Sequence, residues 1–137
     1  MKLGKIVVHF KNKYKLRAAV KESLDSLPTA VCYFDSSGTV KLCNSLMYDL
    51  FRKITKSDLQ GFDELQKALD NCNQLTSIIR DGDIFIFPDG RAWQYSAEDV
   101  KTADGKVYTE AMFNDVTELY EKRQELKQQA KELKKMY

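Results

Sequence analysis

Histidine is almost missing from this sequence: His9 is the only one in 137 residues. A nucleophile that needs an imidazole base has a single candidate partner, and it sits in a basic arm ahead of the apolar part of the chain, so triad-type catalysis is disfavoured. Cysteine is scarce too. Cys32, Cys43 and Cys72 are odd in number with no CxxC spacing, so neither a disulfide framework nor a zinc site is encoded. Buried, reduced thiols are the expectation. The six glycines form no phosphate-binding loop. No apolar run approaches the ~20 residues of a membrane span or the about 7–15 of a secretory signal core. Adjacent acids such as Glu98 and Asp99 fall on opposite faces of a strand and make no acid–base couple. No catalytic residue and no metal-ligand set is assigned.

What is present is a foldable core. The hydrophobic fraction of 43% and aromatic fraction of 11% support one packed domain with helical extensions rather than a disordered chain. A net charge of +2 carries no strong nucleic-acid signature. The charge is uneven, however: residues 1–21 hold seven Lys or Arg and no acid. That pattern reads as a solvated basic segment, with a juxtamembrane or polyanion-facing arm as the alternative.

The periodicities divide the chain. Residues 12–27 place Leu16, Val20, Leu24 and Leu27 on one helical face, and Pro28 ends that helix. Residues 3–10 suit a strand or a helical extension equally. Ala30–Phe34 and Thr39–Cys43 form two strands about an Asp35–Gly38 turn. Asn44 opens a helix with Leu46, Met47, Leu50, Phe51 and Ile54 inward. A short helix follows from Asp63 to Leu69. Residues 70–83 read as polar loop, apart from Leu75, Ile78 and Ile79. Ile84–Phe87, Arg91–Thr102 and Lys106–Val116 are three further strands, separated by Pro88-Asp89-Gly90 and Ala103-Asp104-Gly105 turns. The last two dozen residues form a helix. This order, helix, two strands, short helices, three strands, long helix, predicts an α+β domain on an antiparallel sheet.

Three stretches together resemble the PAS sensory domains: LPTAVCYFDSSGTVKLCNSLMYDLF, PDGRAWQYS and DGKVYTEAMFNDVTEL. The style is similar to PAS modules of bacterial sensor histidine kinases. The resemblance covers about Leu27 to Leu119, with the PAS domain itself at 28–117. It implies a five-stranded antiparallel sheet with short helices over one face, following a basic segment and amphipathic helix (1–27) and leading into a signalling helix (118–137). Asp115-Val116-Thr117 is similar to the Asp-x-Thr that closes many PAS domains, which implies that Asp115 and Thr117 couple sheet to helix. By local chemistry alone, Thr117 is a helix cap.

The same resemblance implies a cytoplasmic homodimer that passes a signal to a downstream effector, most often a histidine kinase, with any membrane anchor upstream of this segment. A nucleotide cyclase or transcription regulator is the alternative effector. Leu119, Leu126 and Leu133 recur every seven residues, the coiled-coil spacing, although Arg123 and Ala130 weaken the seam and a parallel pair sets Lys122 opposite Lys127. The alternative is a solvated helix with its leucines folded back on the domain. Leu16, Val20 and Leu24 either pack on the sheet or make a second dimer face.

Haem-binding PAS domains use a histidine in the helical segment, where none occurs. Flavin-binding ones use Asn-Cys-Arg-Phe-Leu-Gln, of which Asn71-Cys72-Asn73-Gln74 keeps two letters. No cofactor is expected. The interior either takes an unidentified small molecule or is filled by Phe34, Met47, Phe51, Phe85, Phe87, Trp93, Tyr95, Met112 and Phe113. Two different readings are a flavin- or metabolite-binding domain with its own chemistry, and an interaction module working through the basic arm.

Overall fold

A computed structural model of the protein describes residues 22, 23, 25, 26 and 28–136. The proposed N-terminal face of Leu16, Val20 and Leu24, and His9 with the basic arm, lie outside the described residues. The architecture is α+β. Strands β1 (Thr29–Phe34) and β2 (Val40–Cys43) are followed by helices α1 (Ser45–Thr55), α2 (Phe62–Asp70) and α3 (Cys72–Leu75). Strands β3 (Ile79–Asp81), β4 (Ile84–Ile86), β5 (Ala92–Lys101) and β6 (Val107–Asp115) come next, then helix α4 (Thr117–Met136). All six strands join one antiparallel sheet in the order β2-β1-β6-β5-β4-β3.

The expected sheet had five strands; the sixth is β3, in the stretch read as loop. Its cause is the next turn. Asp81 pairs with Ile84, which leaves Gly82 and Asp83 as a two-residue hairpin loop. Gly82 has φ +63°, the left-handed geometry that tight hairpins demand at that position.

Alternation along the strands sorts the side chains. Ala30, Cys32 and Phe34 of β1 join Phe85, Trp93, Ala111 and Phe113 in a single buried cluster with Met47, Leu50, Phe51, Ile54, Leu65 and Leu69 from the helices. The helices therefore cover one face. Val31 and Tyr33 are also buried but belong to the opposite face, in register with Met112 and Glu110. Met112 was expected in the interior set; its register with Val31 and Ser96 turns it away from the helices.

Two local devices fix the β1–β2–α1 corner. The Asp35 carboxylate accepts from the Ser37 hydroxyl and amide and from the Thr39 amide, at 2.6–3.0 Å. Gly38, at φ +84°, completes the turn. Asn44 caps α1, as its position suggested, and is fully buried. Its Oδ1 accepts from the Met47 and Val31 amides, each at 3.0 Å, and its Nδ2 donates to the Thr29 carbonyl. One side chain thus bolts the first turn of α1 to strand β1.

Candidate functional site

The site is the junction where β6 becomes α4. Strands β5 and β6 pair without interruption from Lys101↔Val107 to Trp93↔Asp115. Beyond that last pair the ladder continues: the Val116 amide donates to the Ala92 carbonyl at 2.9 Å. A side chain then supplies the final rung, because the Thr117 Oγ1 accepts from the Ala92 amide at 3.0 Å. The helix starts at once, with the Tyr120 amide donating to the Val116 carbonyl at 2.8 Å.

Capping falls to a different residue from the one expected. Thr117 was read as the cap, but its hydroxyl is engaged by the sheet. Asp115 Oδ1 accepts instead from the Thr117 amide at 3.0 Å and from the Thr117 hydroxyl. It thereby satisfies one of the amides left unpaired at a helix start. Asp115 Oδ2 faces the Arg91 guanidinium at 3.0 Å. Burial pushes the Asp115 carboxyl up, yet the Thr117 hydroxyl and amide and the Arg91 cation outweigh it and hold the group below its ordinary value. The carboxylate is therefore ionised near neutrality, at the positive end of the helix dipole.

Asp115 and Thr117 are thus brought together, and Arg91 and the Ala92 amide join them. Sequence reasoning missed those two. Counting the β5–β6 register outward from the Ala103–Gly105 turn would have found them, since it sets 92 beside 116.

Helix α4 leaves this junction with no buried residue along its 20. Leu119, Leu126 and Leu133 are 56%, 65% and 54% exposed. The leucines do not fold back on the domain. Its first turn meets the sheet: Tyr120 is half-buried, and its hydroxyl donates to Asp81 Oδ2, at the end of β3, at 3.2 Å.

The space between sheet and helices is occupied by Phe34, Met47, Phe51, Phe85, Phe87, Trp93 and Phe113, all buried, with Tyr95 packed against them. Phe113 stacks edge-on to Phe85 and tilted to Tyr95, with centroids 6.1 and 5.0 Å away. The Tyr95 hydroxyl accepts from Gln66 at 2.8 Å. Cys32, Cys43 and Cys72 are buried free thiols. Cys32 faces Cys43 across β1–β2, and that neighbour, together with burial, pushes its thiol far above the usual range. Such thiols are poor nucleophiles. The surface carries an open hollow of about 350 Å³, lined by Ser45, Tyr48, Asp49, Arg52, Asp58 and Leu59. An Arg52–Asp58 ion pair at 2.7 Å lies in its wall.

Among the described residues no group of three or more His, Cys, Asp or Glu could hold a metal, and no helix is long and apolar enough to cross a membrane. Compared with models of known protein families the chain matches none, and no curated protein matches it.

Proposed function

We propose that this chain is a sensory or relay domain of the PAS type, which passes a signal through a paired C-terminal helix to an effector further along the native protein. The observation that carries the reading is α4 itself. It is rooted in the last strand of the sheet, buries nothing of its own, and presents three leucines at heptad spacing. A helix of this composition finds little stability alone, since most helical stability in proteins comes from packing an apolar face. A second copy of the same helix is the partner that heptad spacing fits.

The rest of the fold is compatible with that role. Helices lie on one face of an antiparallel sheet, and β3 is an added edge strand on the five expected. An interior filled by aromatic side chains favours relay over storage of a large cofactor. The junction supports coupling: a shift of β5 against β6 moves Ala92 and Arg91, and so moves Thr117 and Asp115 with them. The weak seam around Arg123 and Ala130 suits an output whose pairing the body can alter at small cost. Of the effectors that use such a stalk, a histidine kinase fits the sequence style best, with this domain on the cytoplasmic side.

Sedimentation equilibrium tests the pairing. The wild-type chain is expected near twice its 15.8 kDa mass at roughly hundred-micromolar concentration. Leu126→Asp with Leu133→Asp is expected to sediment as a monomer. Equal masses for the two chains would sink the reading.

A further inference from the structure

We propose that the edge strand β3 is a second coupling element, tying the helical layer over the core to the base of α4. This rests on the relay reading above and adds a route that bypasses the β5–β6 junction.

Successive residues of a strand point to opposite faces. In β3 that places Arg80 and Asp81 in different layers. Arg80 reaches the helical side. Its guanidinium pairs with Asp70 at the end of α2 at 3.2 Å, lies over the Phe85 ring at 5.2 Å, and donates to the Gly82 carbonyl at 3.0 Å. Its amide donates to Asn73 Oδ1, in α3, at 3.2 Å. Asp81 reaches the other way and accepts from the Tyr120 hydroxyl. Two consecutive residues, Arg80 and Asp81, therefore touch α2, α3 and α4.

The strand is also easy to move. All three of its residues are exposed and, among the described residues, it pairs on one edge, with β4. Little apolar burial holds it, so its position follows its polar anchors. A displacement of α2 or α3 pulls on Arg80, and the same backbone carries Asp81 and with it the first turn of α4. Tyr120 is the receiving residue, one turn beyond Thr117. Its hydroxyl is pushed up by burial and by the bond to Asp81, so it stays protonated and able to donate across the neutral range.

Amide hydrogen exchange on the full chain tests this. Asp70→Asn removes the α2 anchor of Arg80 at an exposed position. It is expected to raise exchange of the amides at 119–123 at least threefold. In a Tyr120→Phe background the same change is expected to do nothing further to those amides. Unchanged α4 exchange in Asp70→Asn would overturn the proposal. So would an equal effect with and without the Tyr120 hydroxyl. Sedimentation of the same samples separates the two ideas: a monomeric wild-type chain sinks the paired-helix reading, whereas lost coupling in a dimeric chain sinks only the role of β3.

Discussion

Helices α1 and α4 are built on opposite terms. Helix α1 has 11 residues and buries Met47, Leu50, Phe51 and Ile54; α4 has 20 and buries none. A capping side chain opens each, Asn44 for α1 and Asp115 for α4, so local chemistry starts both alike. What differs is the face. The apolar positions of α1 form a stripe wide enough to join a core, at about 1.5–3 kcal/mol per buried side chain. Those of α4 form a single file of leucines, enough for a seam and too narrow for a core. The contrast shows that a helix can be specified by its cap and heptad yet remain energetically unfinished within its own domain.

The comparison can be broken from the α1 side first. Asn44→Ala leaves the Val31 and Met47 amides and the Thr29 carbonyl without the partner that this side chain provides in a dry site. We expect a loss of about 4 kcal/mol, read by urea unfolding. At the α4 side the corresponding change is smaller. Asp115→Ala removes an exposed cap and the Arg91 pair, and about 1 kcal/mol is expected, with faster amide exchange confined to the first turn of α4.

Acid sharpens the same contrast. The Ser37 hydroxyl, the Thr39 and Ser37 amides and the Lys41 charge hold Asp35 at about 2, against an ordinary 3.8. A depressed carboxyl contributes its stability above its unfolded value and loses it as the pH falls through the folded one. The advantage of the wild type over Asp35→Asn should therefore be complete above about pH 4 and vanish towards pH 2, measured by urea unfolding across that range. The smallest effect is expected for Leu126→Asp with Leu133→Asp. Stability of the body should stay within about 0.5 kcal/mol of wild type, because these side chains are exposed and lie outside its core.

Much of the body was legible in the sequence because its signals are local. Asn44 ahead of an apolar stripe, Gly38 and Gly105 in turns, and alternation through Ala30–Phe34 each act within a few residues. The elements that escaped depend on remote partners. Strand β3 has three residues, one of them Ile79 at 62% exposure, so alternation had nothing to report; only the Gly82-Asp83 pair marked it. Thr117 looked like a cap because its neighbours in sequence are free amides, but its actual donor, Ala92, is 25 residues back in the chain. The bolt that Asn44 drives into β1 was invisible for the same reason. The leucine file was visible from spacing; its freedom from the domain was not, since that depends on where the sheet ends.

The length of α4 has a geometric consequence of its own. Twenty residues rise about 30 Å. A swing of only about 5° at Thr117 would carry Met136 sideways by roughly 2–3 Å, half the pitch of a helical turn. Bond-length adjustments at the root, too slight to disturb the packed interior, would arrive at the far tip magnified into displacements large enough to change which side chains meet there.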